Sequence, residues 1–150
     1  MKSNMEINDK YDILKLENQL CFPLYACAKE IVRKYKPILD EFDLTYTQYI
    51  TMMVMWEKKK LNVKELGESI YLDSGTLTPV LKKLESKGYV KRSRSKDDER
   101  ILNVILTEKG ENLKQNALSI PSQIGQCIDL EMDDIITLNK LLNKMLHKFK

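Results

Sequence analysis

Apolar residues recur at helical spacing from Leu14 to about Asp40, with Leu16, Leu20, Leu24, Ile31 and Ile38 among them, and predict a first amphipathic helix. Pro23 lies inside that span and is expected to kink or loosen its early turns. Thr45 to Trp56, TYTQYITMMVMW, reads as a second and largely buried helix with Thr45 at its N-cap. Asn62, with Glu65 three residues on, has the pattern of a reciprocal cap and starts a short helix to about Ile70. Tyr71 to Ser74 is a turn. Ser74 opens the next helix and Gly88 closes it. Tyr89 to Arg94 and Ile101 to Leu106 are two strands around the charged tip SKDDER. Thr107 caps a long helix that is interrupted near Pro121, and a final helix runs from about Met132 to Lys148.

Four helices, a hairpin and two more helices make a mainly α chain with a small β-hairpin wing, an α+β winged helix-turn-helix architecture. We read residues 1–150 as one unit, with the winged helix-turn-helix at 45–106. The helices at 14–44 and 107–150 have no obvious partner inside such a core. The last carries Ile135, Ile136, Leu138, Leu141, Leu142, Met145 and Leu146, a wide apolar stripe. Pairing with a second copy about a two-fold axis would bury them, so a homodimer is expected. The competing arrangement folds them back on their own chain.

On a helical wheel Leu77, Val80, Leu81 and Leu84 share one face of the Ser74–Ser86 helix and should pack inward. Gly75, Thr78, Pro79, Lys82, Lys83 and Ser86 face the other way. Ser74, Thr76 and Thr78 are small enough to approach base edges, with Pro79 beside them, and Lys82 and Lys83 can reach phosphates. Charge sharpens this picture. From Lys82 to Lys96 seven cations face Glu85 alone, a local excess of six on a chain whose formal total is +3. Arg92, Arg94 and Lys96 before the tip, and Arg100 after it, suit a hairpin that enters a minor groove of double-stranded DNA. A solvated charged face is the alternative for any charge run. Asp97, Asp98 and Glu99 would repel phosphate and are expected to pair with Arg94 or Arg100.

Composition excludes several classes. The N-terminus MKSNMEINDKYD has no apolar core of a signal peptide, and no apolar run approaches the ~20 residues that span a bilayer, so no membrane role and a cytoplasmic location are expected. The three cysteines should then be reduced at rest. One histidine, His147, and widely spaced cysteines make no metal shell of the usual kind, and no cofactor is implied.

YLDSGTLTPVLKKLESKGYVKR, followed by DDER and LTEKG, resembles the MarR family of winged-helix regulators. LDSGTLTP, together with LENQLCFPLY and YKPILDEFDLTYTQY, resembles its organic-peroxide-sensing OhrR branch. The resemblance runs from about Leu16 to Pro121. It implies a homodimeric transcriptional repressor reading a pseudo-palindromic operator, with a recognition helix at about Ser74–Ser86 and a wing at about Tyr89–Leu106. Cys21 stands where that branch carries its reactive cysteine.

The residues around Cys21 give mixed support. A helix start favours an anionic sulfur, while Glu17 one turn earlier opposes it, and a buried structural cysteine is the plain alternative. Tyr25, four residues on, shares its face. Tyr35 lies ~21 Å further along a straight helix, so it reaches Cys21 only of a crossing partner helix. In the OhrR branch tyrosines of the other subunit hydrogen-bond the thiol, and Tyr35 and Tyr46 match those positions. Aromatic packing at the dimer core fits the same location. Cys27, six residues from Cys21 on a different face, reads as a packing residue. Cys127 lies close to the resolving cysteine of the two-cysteine subclass, so the resemblance allows an intersubunit Cys21–Cys127 disulfide. A small thiol capping Cys21 is the other outcome.

The expected mechanism is DNA release when an organic hydroperoxide oxidises Cys21. Two alternatives differ in chemistry. A regulator of the same fold released by a small aromatic ligand needs no thiol, and a thiol peroxidase needs a base beside Cys21, which the sequence does not supply. An enzyme is therefore not expected.

Overall fold

A computed structural model of the chain describes residues 10–149. Residues 1–9, most of the polar N-terminal segment, and Lys150 lie outside the described residues. Two short 3-10 turns, Asp12–Leu14 and Leu16–Asn18, precede helix α1, Cys21–Asp40. The first helix thus starts later than its apolar spacing predicts. Asn18 and Gln19 donate to the backbone carbonyls of Asp12 and Ile13, which ties the segment into local turns. Pro23 becomes the third residue of α1, where its missing N–H would have had no helical partner, so it removes no helical hydrogen bond as donor.

Helix α2, Tyr46–Lys58, carries a complete capping box between Thr45 and Gln48. Strand β1, Lys60–Asn62, follows, and Asn62 then caps α3, Val63–Ile70, reciprocally with Glu65. Tyr71 ends α3 in a left-handed conformation (φ 57°), and Leu72 donates to the Gly67 carbonyl at 3.0 Å. Helix α4, Ser74–Ser86, is capped by Asp73. Its far end is closed by Gly88 at φ 79°, with Tyr89 N–H reaching back to Leu84 O at 3.0 Å.

Strands β2, Val90–Arg94, and β3, Leu102–Leu106, form the wing, with Arg92 opposite Val104. The sheet is antiparallel with order β1-β3-β2, so the hairpin gains a third strand that the sequence reading lacks. Thr107 caps α5, Glu108–Ala117, and the interruption expected near Pro121 separates it from α6, Ile120–Gly125. Helix α7 is Met132–Leu146.

The core lies under the winged helix. Met52, Met55, Leu66, Leu77, Leu81, Leu84, Val90 and Val104 are essentially inaccessible, and Leu39 and Ile120 extend it to α1 and α6. Trp56 Nε1–H donates to Gly110 O at 2.8 Å, locking α2 to α5. A Cβ on Gly110 would collide with the Tyr89 carbonyl, so that close approach requires glycine. Helix α7 buries none of its residues in the single chain.

Candidate nucleic-acid interface and thiol site

Helix α4 presents its predicted face. Leu77, Leu81 and Leu84 are buried and Val80 is half-buried, while Ser74, Gly75, Thr76, Pro79, Lys82 and Lys83 are exposed. Asp73 accepts from Thr76 N–H at 2.8 Å and from its hydroxyl at 2.9 Å. These bonds hold the Asp73 carboxyl below its ordinary range. Thr78 donates to Ser74 O at 2.6 Å and is half-buried. Pro79 sits on the exposed side early in the helix, where the carbonyl it displaces belongs to Gly75.

At the wing tip, Arg100 is clamped to Asp98, Nε to Oδ1 and Nη2 to Oδ2 both at 3.0 Å. This contact lowers the Asp98 carboxyl from its ordinary value. Arg94 donates to Glu99 O at 2.7 Å. Of the three acidic residues, Asp98 shapes the turn with its carboxylate and Glu99 with its backbone carbonyl. Among the described residues Lys82, Lys83, Lys91 and Lys96 make no ion pair, which leaves two such cations on α4 and two on the wing. Arg92 points elsewhere, onto Glu85 of α4. Lys87, counted with the basic run, is also turned inward. It contacts the Asp43 carbonyl, its carboxylate at 3.2 Å and Gln48 Oε1 at 3.3 Å.

Cys21 is the first residue of α1 and is exposed, with Leu20, Phe22 and Tyr25 exposed around it. Cys27 is exposed too, so in the single chain it is not the packing residue its spacing suggested. Cys127 is exposed in the turn after α6 rather than inside a continuous helix, with its N–H on Ile124 O at 2.9 Å. Among the described residues Cys21, Cys27 and Cys127 are all free thiols.

The structure brings Tyr35 and Tyr46 together, with ring centroids 4.8 Å apart, and adds Tyr49 at 5.8 Å from Tyr35. Burial, then the neighbouring phenols of Tyr46 and Tyr49, pushes the Tyr35 hydroxyl up to about 12. Sequence reasoning missed Tyr49, whose position in TYTQYI marks only a buried helix face. Tyr25 stands apart near Cys21, 66% exposed.

A helix-turn-helix with its second helix exposed and a three-stranded wing beside it defines the winged-helix class of regulators. The model of the family described as transcriptional regulator SarA/Rot matches residues 33–117. The organic hydroperoxide resistance transcriptional regulator of Bacillus subtilis (strain 168) is 45% identical over 140 residues, 93% of this chain and 95% of its own length. A structure of reduced AbfR bound to DNA superposes with a TM-score of 0.75 at 30% identity, covering 95% of this chain and 100% of that one. A disulfide-formed AbfR gives 0.65 at 30% identity, covering 94% and 97%. The chain belongs to the SarA/Rot family of transcriptional regulators, within the MarR-like winged-helix class and with an OhrR-like regulator among its relatives. Among the described residues no helix is long and apolar enough to cross a membrane.

Proposed function

We propose that the chain is a homodimeric repressor that holds a pseudo-palindromic DNA operator while Cys21 is reduced, and releases it when an organic hydroperoxide oxidises that thiol. The observation that carries this reading is the placement of Cys21. It opens α1 in an exposed apolar setting, and the other end of the same helix packs Tyr35 against Tyr46 beside the winged helix. Relatives that are named for hydroperoxide resistance, or solved in reduced DNA-bound and disulfide forms, support it.

In this reading residues 45–106 bind DNA and residues 14–44 and 107–150 dimerise. Leu20, Phe22, Val32, Ile136, Leu141 and Met145 keep large exposed apolar areas that a second copy would cover. Ser74, Thr76, Thr78 and Pro79 face base edges, and Lys82, Lys83, Arg94, Lys96 and Arg100 face phosphates and the flanking minor groove. Arg92 is left out of this set because Glu85 engages its guanidinium and only 21% of the side chain is exposed, whereas Arg100 keeps 90% exposure beside Asp98.

The thiolate sulfur of Cys21 attacks the outer peroxide oxygen. The O–O bond breaks, and the alcohol leaves after taking up a proton. Cys21 becomes a sulfenic acid. Attack by the Cys127 thiol of the partner subunit then forms the S–S bond and expels water. Tyr35 and Tyr46 of that subunit orient the reduced thiol, and losing their contact changes the spacing of the two recognition helices. Non-reducing electrophoresis after cumene hydroperoxide treatment tests the second step. A covalent dimer that needs both Cys21 and Cys127 is expected. A covalent dimer retained in Cys21→Ser would contradict it.

A further inference from the structure

We infer that Glu85 is a positioning residue for DNA binding, which fixes the angle between recognition helix and wing by gripping Arg92. This inference rests on the DNA-binding reading above. Glu85 lies in the last turn of α4 and Arg92 in the middle of β2. One carboxylate takes three hydrogen bonds from the same residue. Glu85 Oε1 accepts from Arg92 backbone N–H at 2.9 Å, and Oε2 accepts from Nε at 3.0 Å and from Nη2 at 2.8 Å.

The backbone bond is informative because β2 is the outer strand of the sheet. Glu85 fills a strand N–H that the ladder does not use, so the wing is held through its backbone as well as through a side chain. Arg92 stands opposite Val104, a fully buried residue, and therefore on the sheet face turned toward α4. Both side chains are mostly covered, at 21% and 35% exposure for Arg92 and Glu85. Solvent screening is reduced at such a site and the geometry is specific. The Arg92 contacts lower the Glu85 carboxyl from its ordinary value, the backbone bond first and the side-chain bonds second.

Without this grip the root of the wing is still held, by buried Val90 and Val104 and by the Tyr89 N–H bond to Leu84 O, while the strand beyond Val90 loses its hydrogen bonds to α4. Lys82 and Lys83 on α4, and Arg94 and Lys96 on the wing, must meet phosphates of one duplex together. A wing free to swing lowers affinity by the fraction of time it is misplaced, with no phosphate contact deleted.

The salt dependence of binding separates this role from direct contact. Each phosphate contact contributes about 0.9 to the slope of log affinity against log salt, and a positioning residue contributes none. The probe is a duplex selected by the wild-type dimer from a random library, bound over a series of salt concentrations. We expect E85Q and R92Q to weaken binding about tenfold, the scale of one charge-assisted hydrogen bond, with the wild-type slope. R94Q should lower the slope by about one per protomer. The exchanged pair E85R/R92E should bind more tightly than either single reversal, and amide exchange at Arg92 should rise in E85Q while the thermal midpoint stays near wild type. Simple electrostatics predicts the opposite for E85Q, because removing an acid beside a polyanion tightens binding. Wild-type or tighter affinity in E85Q, or a lowered slope in R92Q, overturns the positioning role. A wild-type dimer that selects no duplex overturns the DNA-binding reading itself, and the positioning role with it.

Discussion

Leu66, Leu77 and Leu84 of the winged helix have no exposed surface, whereas Ile136, Leu141 and Met145 of α7 keep 59%, 53% and 36% of theirs. The two regions have similar apolar spacing but different burial. In the winged helix the capped α3 and α4, the third strand and the Trp56–Gly110 bond close a core within one chain. Helix α7 has no such counterpart and buries nothing. A closed core resists small perturbation, while in the proposed dimer a region completed by a second copy would depend on an association free energy that a covalent change at Cys21 can shift.

The largest effect that sharpens this contrast is on the core. Leu84→Ala should cost about 2–5 kcal/mol in denaturant unfolding, because a fully buried Leu leaves a cavity under α4. The double variant Ile136→Asp, Leu141→Asp should leave the winged-helix amide protection intact but raise the dimer dissociation constant by about 100-fold or more in sedimentation. Loss of winged-helix protection in that variant would break the division into two regions.

Thr45→Ala should cost about 1 kcal/mol, since it removes one half of the α2 capping box. Tyr35→Phe should leave neutral-pH stability near wild type, and its signature is spectroscopic. The folded-state phenol ionises at about 12, above the ordinary value of 10.0. Between those values the unfolded chain has lost the proton that the folded chain keeps. The Tyr35 contribution is therefore complete below pH 10 and is lost as pH rises toward 12. Ultraviolet titration of the variant should lack this late phenol, and an unchanged late step would assign it to another tyrosine.

Local signals were legible where sequence neighbours supply the physics. Asn62 with Glu65, Thr45, Gly88 and the inward leucines of α4 all stand as read. Long-range pairing was not legible. Strand β1 has three residues and exists only because β3 pairs with it. Arg92 reads as a DNA-facing cation and Lys87 as part of the basic run, yet their partners Glu85 and Asp43 lie seven and 44 residues away with no periodic relation to them. Leu14 to Leu20 keep apolar spacing but form 3-10 turns tied by Asn18 and Gln19. Burial of Tyr49 against Tyr35 likewise needs the α1–α2 crossing.

In the proposed switch, DNA release requires oxidation that begins at Cys21. The most direct test is the fraction of selected duplex bound by reduced dimer during a titration with cumene hydroperoxide, in wild type and in Cys21→Ser. Wild type should release the duplex at near-stoichiometric oxidant, and Cys21→Ser should stay bound throughout. Equal release from both proteins would contradict the account.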